Sequence, residues 1–364
     1  DIYLLMDMCN HAELYTINKD NKLTQLAVMD QMGGKGSDIC AAFSAVGFSR
    51  FLPFRPPYNT VEYISFGGIV NSTQDTIDGK CWADVQGSDK SFRTSAHPID
   101  IMLGESSWEE ETMPFPRVGG LAVILPNGEF LILNGAEHGM GNDYLRTPVR
   151  TAVMYDPDAP AGRRYRTLAT SQYNRLYHNI GMLLIDGTVL VAGGEQGEAY
   201  SSADGKPWCG SNYDYTFPAE IYKPPYVFEP EQRPDIVETF LNEEEYEFGS
   251  TIRVFYAGPD VTQASIVSPS AATHGTEQHS RTVFLEISES SSSAADVSGT
   301  KFVDVILPTM KHRVTTSGWH MLFLNNGKYP CKEGKWIKIL DSRVVDANNR
   351  LRRRDSNSGL GGEE

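Results

Sequence analysis

The strongest constraint on this chain is a hairpin plan that occurs twice. The stretch from Leu121 to Leu133 is an apolar run, a turn at Asn127-Gly128 and a second apolar run, and it ends in Asn134-Gly135-Ala136. Ile180 to Ala192 repeats the plan around Asp186-Gly187 and ends in Gly193-Gly194. Apolar runs rich in β-branched residues on either side of Asn-Gly or Asp-Gly read as β-hairpins. Gly128 and Gly187 hold the same place in the two units, 59 residues apart. A third strand follows each hairpin, at Ala152 to Pro157 and at Ala219 to Pro224. Multi-strand units at a period of about 50 residues with a Gly-pair signature are the pattern of kelch-type β-propeller blades.

Earlier residues are compatible with further blades. Ile2 to Leu5 and Ala12 to Ile17 read as short strands, followed by a polar turn at Asn18 to Lys22, and Val61 to Phe66 reads as a strand ending in Gly67-Gly68. Between Ile69 and Pro116 an acidic, Ser-rich stretch that includes Trp108-Glu109-Glu110-Glu111 predicts solvated loop and edge strand. After Pro224-Pro225-Tyr226 the blade plan stops. Short strands at Thr251 to Tyr256, Ala264 to Val267, Thr282 to Ile287, Phe302 to Leu307 and Trp319 to Leu324 predict an immunoglobulin-like β-sandwich. The expected fold is therefore all-β: a partial propeller over 1–226, a sandwich over 227–340, and a flexible tail over 341–364 that carries the basic cluster from Arg350 to Arg354.

Charge and cysteine usage narrow the partners. With 47 acidic against 32 basic side chains, the net charge of -15 disfavours nucleic acid or an anionic membrane surface. No apolar run approaches the roughly 18 residues that a membrane-spanning helix needs. The chain opens at Asp1 in a strand-like run, which reads as a fragment or a processed chain. The five cysteines (Cys9, Cys40, Cys81, Cys209, Cys331) include no CxxC pair, which argues against structural zinc and leaves disulfide pairing open. Asn71-Ser72-Thr73 is a glycosylation sequon suited to a secreted protein.

Candidate chemistry lies just before the second hairpin. Tyr177 and His178 place a phenol and an imidazole side by side, two groups that can bind a metal; the bland alternative is an aromatic plug beside a satisfied buried histidine. In the second domain, the polar loop from Ser268 to Arg281 carries His274 and His279 between two strands. Loops on rigid scaffolds are where functional groups concentrate. The other histidines (His11, His97, His138, His312, His320) lack ligand spacing and read as structural or exposed.

Taken together, Arg175-Leu176-Tyr177-His178 leading into Leu184 to Gly194, then Glu220 to Tyr226, the Thr273-His274 loop, and Gly318 to Gly327 resemble the C-terminal part of the glyoxal oxidase and galactose oxidase family, closer to the glyoxal oxidase branch. The resemblance implies a seven-bladed propeller followed by an immunoglobulin-like domain, one of whose loops enters the propeller axis. It implies a secreted, extracellular mononuclear copper radical oxidase that oxidises small aldehydes or alcohols and reduces O2 to H2O2. Carried over by position, Tyr177 matches the axial tyrosine that accepts the proton and also ligates copper, and His178 and His274 match the two imidazole ligands.

One part of the family pattern is missing. The family's Cys-Tyr radical cofactor sits in early-blade motifs resembling Phe-Cys-Ser-Gly-Gly and Arg-Trp-Tyr-Pro, and neither occurs here. Either N-terminal blades on the same precursor carry the cofactor, or the chain is a divergent member without it. The mid-strand start favours the first. Without the cofactor, this chain alone is not expected to turn over. The competing readings are a non-catalytic extracellular scaffold or carbohydrate-binding component with a degenerate copper site, and a kelch-type interaction module inside the cell.

Overall fold

The computed structural model describes residues 2–7, 11–18, 20–33, 39–41, 47–70, 85–141, 144–194, 215–239, 245–273, 276–278, 280–290 and 300–341. The sequon, His274, His279 and the tail from 342 on lie outside them. Meandering strands form four successive antiparallel sheets among the described residues. The first holds β1 (Ile2–Asp7), β2 (Ala12–Ile17) and β3 (Leu23–Val28). The second holds β4 (Phe48–Phe51), β5 (Glu62–Phe66), β6 (Lys90–Ser95) and β7 (Glu109–Thr112), in that order. Within the next stretch come β8 (Leu121–Ile124), β9 (Phe130–Leu133), β10 (Ala136–His138), β11 (Arg146–Pro148), β12 (Thr151–Tyr155) and β13 (Tyr165–Thr170). There β8, β9, β12 and β13 make the third sheet, while β10 and β11 pair separately. The fourth sheet holds β14 (Ile180–Leu183), β15 (Val189–Ala192) and β16 (Glu220–Tyr222). These are propeller blades, and their first strands β4, β8 and β14 stand next to one another.

The repeated turns are closed alike. In the third blade Leu125 and Glu129 bracket the turn, Gly128 takes φ +84°, and Asn127 Oδ1 accepts from Glu129 N. In the fourth, Leu184 and Thr188 bracket it, Gly187 takes φ +79°, and Asp186 Oδ1 accepts from the backbone and hydroxyl of Thr188. Each turn spans one residue more than the tightest hairpins, with glycine in the left-handed last position. Every residue of β8 and β9 is buried, so these strands read as apolar runs rather than alternating ones.

The stretch expected to be loop and edge strand holds more order than that. β7 is indeed the edge of its sheet, but β6 is an interior strand and a short helix α1 (Pro98–Leu103) follows it. Polar residues hid β6 from the sequence reading: Ser91 and Thr94 are buried beside Phe92, and Ser91 accepts from the hydroxyl of Tyr165.

The remaining strands build the sandwich and a separate hairpin that projects from it. They are β17 (Asp235–Thr239), β18 (Glu245–Glu247), β19 (Thr251–Ala257), β20 (Gln263–Val267), β21 (Ala271–Thr273), β22 (Thr276–Gln278), β23 (Thr282–Ser290), β24 (Lys301–Ile306), β25 (Gly318–Asn326), β26 (Tyr329–Pro330) and β27 (Lys335–Leu340). The hairpin is β21 with β22. β23 joins the layers: its first half pairs with β20 and its second half with β24. Between them lie Ile252, Val254, Val303, Ile266, Leu322 and Ile337.

The sandwich sits on the turn ends of three successive blades. Phe54 exchanges backbone hydrogen bonds with Thr282 and Phe284. Pro126 O accepts from Ser265 Oγ (2.7 Å) and Asn325 Nδ2 (3.2 Å). Around the fourth blade's turn, Gly187 O accepts from the Tyr226 hydroxyl (2.6 Å), Asp186 O from Arg233 Nη2 (2.9 Å), and Ile185 O from Gly334 N (2.8 Å). Arg233 also donates to the carbonyls of Pro330, Cys331 and Lys332 and is 6% exposed. Truncating it strands several buried carbonyls at once. Arg233→Ala is expected to lower stability by about 3 kcal/mol, read by urea denaturation; a loss below about 1 kcal/mol would mean that Arg233 is not what clamps the two parts.

Candidate metal centre

Arg175 fixes the segment that leads into β14. Its guanidinium is 1% exposed and donates to Gly193 O (2.7 Å), to Pro218 O and to Glu220 Oε2 (3.1 Å), while its own carbonyl accepts from Gly135 N. Arg117 does the same work one blade earlier, donating to the carbonyls of Asn134 and Thr151. This pair of buried arginines before matching hairpins was a repeat signal in the sequence that the motif reading passed over.

Past Arg175 the backbone turns sharply. Tyr177 is 6% exposed and packs in a cluster with Cys40, Ile69, Val118, Met140 and Leu176. His178 is half-buried and adopts a left-handed backbone, φ +51°. In an extended strand consecutive side chains point to opposite faces. The left-handed residue breaks that alternation, and the phenol and imidazole stack, ring centroids 4.0 Å apart and planes 28° from parallel. Gly193 permits the bend: a Cβ there would come within 2.6 Å of His178 O.

The second domain reaches this place through the β21–β22 hairpin. β21 lies against β14 and β22 against β4, so the hairpin crosses the adjacent first strands of the blades. Thr273 pairs with Thr276, and position 274 falls between them in sequence. Of the three candidate ligands, the structure brings Tyr177 and His178 together and aims the hairpin at the strand they precede; His274 itself is not described. Among the described residues no group of three or more His, Cys, Asp or Glu stands ready for a metal.

Other candidates resolve as structural. His320 is 1% exposed, contacts Thr315 Oγ1 (2.8 Å) and Gly318 O (3.0 Å), and burial lowers its pKa. Cys331 is a buried free thiol whose pKa burial pushes up to about 12. Cys40 is disulfide-bonded, to a partner outside the described residues.

The family model described as Glyoxal oxidase N-terminus matches residues 38–226, more than half of the chain. The chain belongs to the glyoxal oxidase family. A second model, the galactose oxidase-like Early set domain, matches residues 233–339. Within the glyoxal oxidase family's relatives, Aldehyde oxidase GLOX of Vitis pseudoreticulata is 27% identical over 91% of this chain and 59% of its own length. Aldehyde oxidase GLOX1 of Arabidopsis thaliana is 28% identical over 66% of this chain and 39% of its own length. The solved structure of a fungal alcohol oxidase of the AA5 family, in complex with copper, shares the fold with a TM-score of 0.64 at 18% identity, over 93% of this chain and 63% of that one. This chain thus spans less than two thirds of each of these three relatives.

A left-handed β-carbon-bearing residue costs about 1–2 kcal/mol relative to glycine. His178→Gly is therefore expected to be more stable than His178→Ala by about 1 kcal/mol, compared by urea denaturation; equal stabilities would show that position 178 carries no backbone strain.

Proposed function

We propose that this chain forms part of a secreted copper radical oxidase that oxidises small aldehydes, as their hydrates, or alcohols and passes the electrons to O2, giving H2O2. The observation that carries this reading is the buried Tyr177 phenol stacked on the His178 imidazole, with the hairpin from the second domain laid against the strand they precede. The donor set fits copper: neutral imidazole suits the ion, and a neighbouring cation makes a phenol a competent base near neutral pH. His178 and His274 would hold the metal together with Tyr177. When bound, copper supplies one-electron redox chemistry. Tyr177 Oη takes the proton of the substrate hydroxyl, as a positioned general base. The surrounding apolar cluster, with Met140 and Leu145, keeps bulk water from that proton.

A two-electron oxidation also requires a second one-electron site, and this chain lacks the family's Cys-Tyr motifs. We assign that part to N-terminal blades on the same precursor. The fourth blade supports this. One of its faces, with Gly181, Leu183, Val189 and Val191, packs toward the third blade. Its other face carries Ile180, Met182, Leu190 and Ile221, is apolar too, and stays partly open, with Ile221 52% exposed. A sheet apolar on both faces is built for cover on both. The disulfide at Cys40 accords with export to an oxidising compartment.

Elemental analysis of the whole protein tests the reading. It is expected to hold close to one copper per molecule, and His178→Ala and His274→Ala are expected to hold almost none. Retention of copper by both variants would remove them as ligands. Tyr177→Phe is expected to keep copper yet lose peroxide production by a factor on the order of 100 or more; turnover at the parent rate would end its role as base, and a copper-free parent would leave the non-catalytic scaffold as the better account.

A further inference from the structure

The stacked Tyr177 and His178 require something to hold His178 in its unfavourable backbone region, and one buried side chain brackets the pair. Asn179 is 2% exposed. Its Nδ2 donates to Leu176 O, three residues back in its own segment, and to Gly119 O (2.7 Å), in the stretch leading into the third blade. Its Oδ1 accepts from Asn134 Nδ2 (3.0 Å). Asn134 is itself 6% exposed and left-handed at φ +58°, and Arg117 Nη1 anchors its carbonyl at 2.6 Å. Both amide hydrogens and the amide oxygen of Asn179 are thereby engaged, away from water.

We infer that Asn179 is the positioning residue of this site: its carboxamide closes the loop from Leu176 over Tyr177 and His178 and ties it to the preceding blade. The bond to Leu176 O spans the two ring-bearing residues, so it resists any relaxation of His178 toward an extended conformation. Satisfied hydrogen bonds in a low-dielectric interior are stiff and costly to break. The chemistry is particular to an amide. Aspartate at 179 would turn two donors into acceptors facing the carbonyls of Gly119 and Leu176. The bearing on copper rests on the function proposed above; the bearing on backbone geometry does not.

A double-mutant cycle separates positioning from plain packing. Asn179→Ala is expected to lower the melting temperature by several degrees in the parent, and by less than half as much in a His178→Gly background, where the left-handed backbone needs no support. Equal losses in both backgrounds overturn the inference. Asn179→Asp is expected to lose at least as much as Asn179→Ala, and a harmless Asn179→Asp would likewise overturn it. Copper(II) titration of the same proteins, followed by electron paramagnetic resonance, gives a second readout. Asn179→Ala is expected to weaken binding by a factor on the order of 10–100, as loss of a group orienting a ligand does, and to shift the spectrum. Unchanged affinity and spectrum also overturn the inference. A parent that binds no copper fails the metal assignment instead, and the cycle still decides the role of Asn179.

Discussion

Everything near Tyr177 and His178 depends on the grip of the sandwich on the blade turns. Carbonyls of Pro126, Asp186 and Gly187 point out of their turns and are met by Ser265, Asn325, Arg233 and Tyr226. Once desolvated, each such bond is expensive to leave unmade, so the two parts cannot slide past one another without breaking several together. One apolar core runs through both, from Leu131 and Tyr155 in the third blade to Val305 and Leu324 in the sandwich. The hairpin that reaches the fourth blade is therefore carried on a fixed arm.

Within the propeller part, a second set of buried polar bonds sets the angular register. Arg117 and Arg175 each tie the segment leading into a blade to later strands of the same blade. Backbone approach is close wherever the next segment passes: a Cβ on Gly67 would fall 2.1 Å from Arg117 O. Gly67, Gly135 and Gly193 are thus steric clearances for neighbouring backbone as much as turn formers. Apolar packing alone would let blades rotate against one another; directional bonds to carbonyls do not.

Much of the fold was legible because its signals are local. Apolar runs flanking Asn127-Gly128 and Asp186-Gly187 announced both hairpins, and the sandwich strands at Thr251, Ala264, Thr282, Phe302 and Trp319 are where alternation placed them. What escaped has partners far away in sequence. β6 is polar in composition and is buried only because β5 and β7 flank it and Tyr165 covers Ser91. Of the candidate centre, the adjacent phenol and imidazole were visible as residues, while their stacking was not, since it follows from a left-handed His178 that no propensity predicts. Asn179 carries no local signal in the sequence. Its meaning lies in Asn134, 45 residues upstream, and in a carbonyl of Gly119.

The β21–β22 hairpin also dictates an order of events in biosynthesis. Chains are made from the N-terminus, so the segment around Tyr177 leaves the ribosome about a hundred residues before the hairpin strands that come to lie against the neighbouring blades. During that interval the stacked rings lack the hairpin that lies against β14 and β4 in the finished fold. β20, which leads into the hairpin, pairs with β25, and β25 pairs with β27. Completion of the fold around Tyr177 is in this sense a C-terminal event, and a chain stopped before Leu340 would lack part of the β25–β27 pairing that backs β20 and the hairpin it leads into.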